Sequence, residues 1–70
     1  MPIFLAPINE ELTVRRVGAE EKTKKHLQEI GISVGSKITV LSSSGGSVIL
    51  KVKEGRLCLD RTLAAKIVVA

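Results

Sequence analysis

Large aromatic side chains are nearly missing from this chain. Phe4 is the one aromatic among 70 residues, and Trp and Tyr do not occur. Two readings of a small chain weaken with them. A groove for proline-rich peptides needs an aromatic lining, and single-stranded nucleic acid is held largely on aromatic stacking platforms. Cysteine is equally scarce: Cys58 alone cannot form an internal disulfide. Secreted chains of this length usually carry several paired cysteines, so a reducing, cytoplasmic setting is expected. No apolar run approaches the roughly 20 residues that cross a bilayer, and direct membrane insertion is not expected. The opening MPIFLAPINEE has no basic stretch of the kind that starts a secretory signal.

Groups that carry chemistry are few as well. His26 and Cys58 are the single members of their types, and neither has a second ligand at useful spacing. A structural metal site asks for about four ligands. Glu20 and Glu21 are adjacent, so on a helix they point in different directions. We therefore expect no metal site and no cofactor. Nucleophilic catalysis needs Ser or Cys beside an oriented base, yet the one His lies in a lysine-rich segment and the serines cluster in SSSGG. That stretch has neither the spacing nor the strand-to-helix setting of a phosphate loop. The chain reads as a non-enzyme.

What is present is aliphatic and β-branched. Hydrophobic residues make up 44% of the sequence, and Val and Ile favour strands. Net charge is +4, which fits nucleic acid, an anionic surface or an acidic protein. The bases are interspersed with seven acids, a pattern that mostly solvates a surface.

Residues 1–10 read as an extended lead-in whose apolar pair, Phe4-Leu5, tucks against the core. Alternation predicts a strand over residues 11–17. Residues 19–30 form the one convincing helix. Glu20 and Glu21 suit its first turn and stand four residues before Lys24 and Lys25. Ala19, Thr23, Leu27 and Ile30 make its inward stripe, and Gly31 suits the position just past its end. Further strands are expected at 36–41, 47–53, 56–59 and 67–70, with SSSGG (42–46) a loop and Glu54-Gly55 a hairpin turn. Asp60 is placed to cap a short helical turn, RTLAA. The expected core is Leu12, Val14, Leu27, Ile30, Ile38, Val40, Val48, Leu50, Val52, Leu57, Leu59 and Ile67. Five strands this short leave exposed edges, and closure into a barrel removes them. The fold class is mainly β: one domain over residues 1–70, a small five-stranded barrel with one helix after the first strand and a helical turn before the last.

The run KKHLQEIGISVGSKITVL, then a Gly-containing loop, a strand and RLCLDRTLAAKIVV, resembles the FeoA domain family (ferrous iron transport protein A). The resemblance covers the chain from about residue 3. Its pattern is a basic helix ending in Leu-Leu-x-Leu-Gly, an apolar residue and a tight turn, a strand, a loop, a hairpin ending in Leu-x-Leu and an Ala-rich turn. Gln28 departs from it where a second leucine is usual, and Val34 where proline is common. The SSSGGS loop and Asp60 depart too. The resemblance implies an SH3-like barrel without catalytic residues, acting as a cytosolic accessory of the membrane ferrous-iron transporter FeoB. The alternative is a nucleic-acid-associated SH3-like domain of ribosomal or transcription-factor type; the missing aromatics disfavour it. Oligomeric state is left open.

Period-two alternation puts Ile49, Lys51, Lys53, Arg56 and Cys58 on the outward side of a hairpin. Ile49, Lys51, Lys53 and Arg56 are the first candidates for a partner-binding face. Lys24 and Lys25 on the helix are second.

Overall fold

The computed structural model describes residues 1–53 and 55–70. A 3-10 turn at Ile3–Leu5 leads to strand β1 (Glu11–Val17) and helix α1 (Glu21–Glu29). Then come β2 (Lys37–Ser44), β3 (Ser47–Val52), β4 (Gly55–Asp60), the one-turn helix α2 (Arg61–Ala64) and β5 (Ile67–Val69). The strands pair antiparallel in one sheet of order β4-β3-β2-β1-β5. This is the expected mainly-β architecture, with the helices where they were predicted.

Alternation sets the buried face. Val48, Leu50 and Val52 of β3 and Ile38 and Val40 of β2 point inward, and Val14, Leu27, Leu59 and Ile67 complete the buried part of the expected core. Leu12, Ile30 and Leu57 pack against that core but are only partly buried. Leu57 belongs to a terminal strand of the sheet, with a neighbour on one side only. Ile3, Ala6, Val17, Ile32, Ala64 and Val69 join the core as well. Ile3 enters because the lead-in coils into a turn. That turn leaves Leu5 of the Phe4-Leu5 pair 71% exposed, contrary to the expectation that both tuck inward.

Helix α1 is shorter than 19–30, because Glu20 is already extended and serves as the N-cap residue. Its end is fixed by Gly31, at φ +98°. The Ile32 N–H donates to the Leu27 carbonyl at 2.8 Å and the Gly31 N–H to that of Gln28 at 3.1 Å. This is the Schellman arrangement, and it brings two apolar residues, Leu27 and Ile32, into the core together. Asp60 caps α2 as expected: its Oδ1 accepts from the Leu63 N–H at 2.8 Å.

Two further expectations need correction. SSSGG is not a loop of five. β2 runs on through Ser44, which pairs with Ser47, leaving Gly45-Gly46 as a two-residue connection. Gly45 has φ +60°, the left-handed conformation tight hairpins require. The three serines are exposed there, and a register shift at Leu41 turns the strand as it leaves the core. Closure is the second. β4 and β5 are the two ends of the strand order, so the sheet is barrel-like but not closed. The β5 end is covered by the lead-in: Pro2 bridges to Val68, and the Val69 N–H donates to the Met1 carbonyl at 2.7 Å. In the β3–β4 turn Gly55 has φ +136°; Glu54 lies outside the described residues.

Candidate protein-docking face

The outward side of β3 and β4 is built by cross-strand register. Ile49 stands opposite Cys58, and Lys51 opposite Arg56. Lys51 also pairs with Thr39, and Thr39 with Glu11. One lateral row therefore crosses four strands as Glu11, Thr39, Lys51, Arg56. Lys53 follows β3 directly and is exposed. The hairpin set read from the sequence is thus brought together on one face, with Ile49 at 39% exposure as its apolar member.

A further cation, Lys37, extends this face and was not singled out from the sequence. Its Nζ donates to Thr13 Oγ1 at 2.7 Å, which ties it across the β1–β2 pair. A cleft lined by Glu11, Lys37, Thr39, Lys51 and Lys53 runs over the sheet here. Alternation with Ile38 was the signal for Lys37.

Lys24 and Lys25 lie on α1, both exposed, and belong to other surfaces. Lys24 borders a cleft with Arg15, Arg16, Gln28 and the exposed Val34. The sequence reading missed the two arginines. Both are exposed because the β1–β5 register shifts between Val14 and Arg16. A visible signal existed: Val14 and Val17 are three residues apart, which breaks strict alternation.

Among the described residues, no group of three or more His, Cys, Asp and Glu could hold a metal ion. No helix among them is long and apolar enough to cross a membrane.

Comparison with known proteins places these features. The chain is 34% identical over 68 residues to a Methanocaldococcus jannaschii protein named Fe(2+) transport protein A, covering 97% of this chain and 83% of that one. Its fold matches the solution structure of FeoA from Chlorobium tepidum with a TM-score of 0.86, at 24% identity over 99% of this chain and 68% of that one. A crystal structure of an iron uptake regulatory protein (FeoA) matches at 0.87, with 21% identity over 99% of this chain and 93% of the other. A manganese-dependent transcriptional repressor shares the fold over 39% of its length, covering 96% of this chain at 21% identity and a TM-score of 0.81. The FeoA domain model matches residues 1–70, and the chain belongs to the FeoA domain family.

Proposed function

We propose that this chain is a non-enzymatic accessory of ferrous iron uptake, working in the cytoplasm through contact with the cytoplasmic part of FeoB. Membership of the FeoA family supports the process. The observation that carries the mode of action is the cluster of cations on the open sheet face, Lys37, Lys51, Lys53 and Arg56, bordered by Glu11 and with Ile49 exposed beside them. A basic face with one apolar anchor fits an acidic protein surface. A domain this small offers about 800 Å² at most to a partner, so the contact is transient and salt-sensitive.

The test is capture of FeoB, as its soluble domain and as the full-length transporter with nucleotide, by wild type and by Lys51→Glu/Lys53→Glu. The double variant is checked for folding by circular dichroism. Loss of capture by a folded variant supports this face, and unchanged capture moves the contact to the Arg15, Arg16, Lys24 cleft. No capture by wild type overturns the partnership. Duplex DNA at physiological salt serves as the control for the nucleic-acid reading, whose signature is affinity that collapses with added salt.

A further inference from the structure

β4 is a six-residue terminal strand whose ladder with β3 runs from Val52↔Gly55 to Ser47↔Asp60 without a bulge. It contains no proline. Bulges, prolines, short length and charged side chains are the usual devices that stop an edge from pairing, and β4 has only the charges, Arg56 and Asp60. Its backbone orientation follows from the register. The Asn9 N–H donates to the Val40 carbonyl at 2.8 Å, so Val40 faces away from β3, Thr39 and Lys51 bond each other across the β2–β3 pair, and alternation turns the N–H and C=O of Arg56 and Cys58 away from β3. The side chains alternate too: Arg56, Cys58 and Asp60 are exposed, Leu59 is buried and Leu57 partly so.

The sequence along this edge is Arg56-Leu57-Cys58-Leu59-Asp60. Read in reverse it keeps its apolar pattern and inverts its charge. An antiparallel copy centred on Cys58 therefore places Arg56 opposite the other chain's Asp60, twice, and Leu57 opposite Leu59, twice. Cys58 meets its own symmetry mate in a pair whose backbone groups already face outward. The charge arrangement within one chain favours this. Arg56 is held directly opposite Lys51, and like charges in that relation are destabilising. A second copy brings a carboxylate to the other side of Arg56. Asp60 Oδ1 is engaged with the Leu63 N–H; Oδ2 remains to accept from the guanidinium.

We propose that β4 is a self-association edge: two copies of this chain pair their β4 strands antiparallel about Cys58, locked in register by two reciprocal Arg56–Asp60 ion pairs. Such a contact is isologous and closed, so it stops at a dimer. Two six-residue edges bury little surface, which sets the dissociation constant on the order of 100 μM. The inference is independent of any contact with FeoB.

The test uses the full chain in sedimentation equilibrium up to millimolar concentration. Wild type shows a monomer–dimer equilibrium. Arg56→Asp and Asp60→Arg each weaken it by at least about tenfold, because each replaces both attractive pairs with like charges. An equimolar mixture of the two variants regains dimer, since every cross-pair is again opposite in sign. A second measurement does not depend on the Asp60 variant folding. A thiol-to-thiol cross-linker reaching about 8 Å joins wild-type chains through Cys58. It does not join Lys51→Cys/Cys58→Ser chains, whose positions lie three inter-strand spacings across and four residues along the strands in the dimer, about 20 Å apart. A wild type that stays monomeric at millimolar concentration overturns the proposal, as does equal cross-linking at positions 51 and 58. Dimerisation of Arg56→Asp as tight as wild type refutes the register.

Discussion

Lys51 and Arg56 stand directly opposite each other across the β3–β4 ladder. A single domain gains nothing from two cations held in that relation. Reversing one of them turns a repulsive pair into an attractive one. Lys51→Glu is expected to raise the stability of the isolated, monomeric chain by about 0.2–1 kcal/mol. Urea denaturation at low salt measures it, and the gain shrinks as salt is added. A loss of stability would show that Lys51 earns its place through packing of its stem.

Leu50 is fully buried on β3, between β2 and β4 in the strand order. Leu50→Ala should cost about 2–5 kcal/mol, enough to unfold much of a population of so small a domain. Leu57→Ala, on the terminal strand and partly buried, should cost less. Equal losses at the two sites would mean that the core extends under β4 more fully than its exposure indicates.

Asp60 holds the first turn of α2 through Leu63. Asp60→Ala is expected to lower stability by about 0.5–2 kcal/mol, and Asp60→Asn to recover most of that. Thermal unfolding of dilute, monomeric protein separates this role from any part Asp60 plays between chains.

Gly45 has a left-handed backbone, and a Cβ built there meets nothing within 4 Å. Its cost is therefore purely conformational. Gly45→Val should destabilise the β2–β3 hairpin by about 1–2 kcal/mol, and Gly45→Asn by much less. Denaturant unfolding of both variants tests this, and equal stability of the two would remove the conformational account.

The isolated domain is expected to show no stoichiometric ferrous site tighter than about micromolar, because His26 and Cys58 have no ligand partners at useful spacing and carboxylates do not cluster among the described residues. Anaerobic titration followed by calorimetry checks it, and a saturable one-to-one isotherm would overturn it.

The strands whose apolar residues strictly alternate were legible from the chain alone. β3 is the clear case: Val48, Leu50 and Val52 fall inside and Ile49 and Lys51 outside, so the hairpin face could be named residue by residue. Features set by breaks in alternation were not. The shift near Arg15 exposes both arginines of β1, and the shift at Leu41 carries Ser42, Ser43 and Ser44 beyond the core as strand instead of loop. Serine and glycine composition signals a loop, but here ladder pairing outweighs that local preference. Closure was misjudged because short strands imply a need to hide edges without saying which edge is hidden. The lead-in covers β5, and nothing in residues 1–5 declares that in advance.

That cover has a consequence for how the molecule is made. β5 pairs with β1, the first strand, and is clasped by Met1 and Pro2; two of its three residues, Ile67 and Val69, are fully buried. The hydrophobic interior therefore stays unfinished until residues 67–69 have joined β1. Closing so long a loop carries an entropic cost before any contact rewards it, so the docking of β5 onto β1 and residues 1–2 is expected to come late in folding.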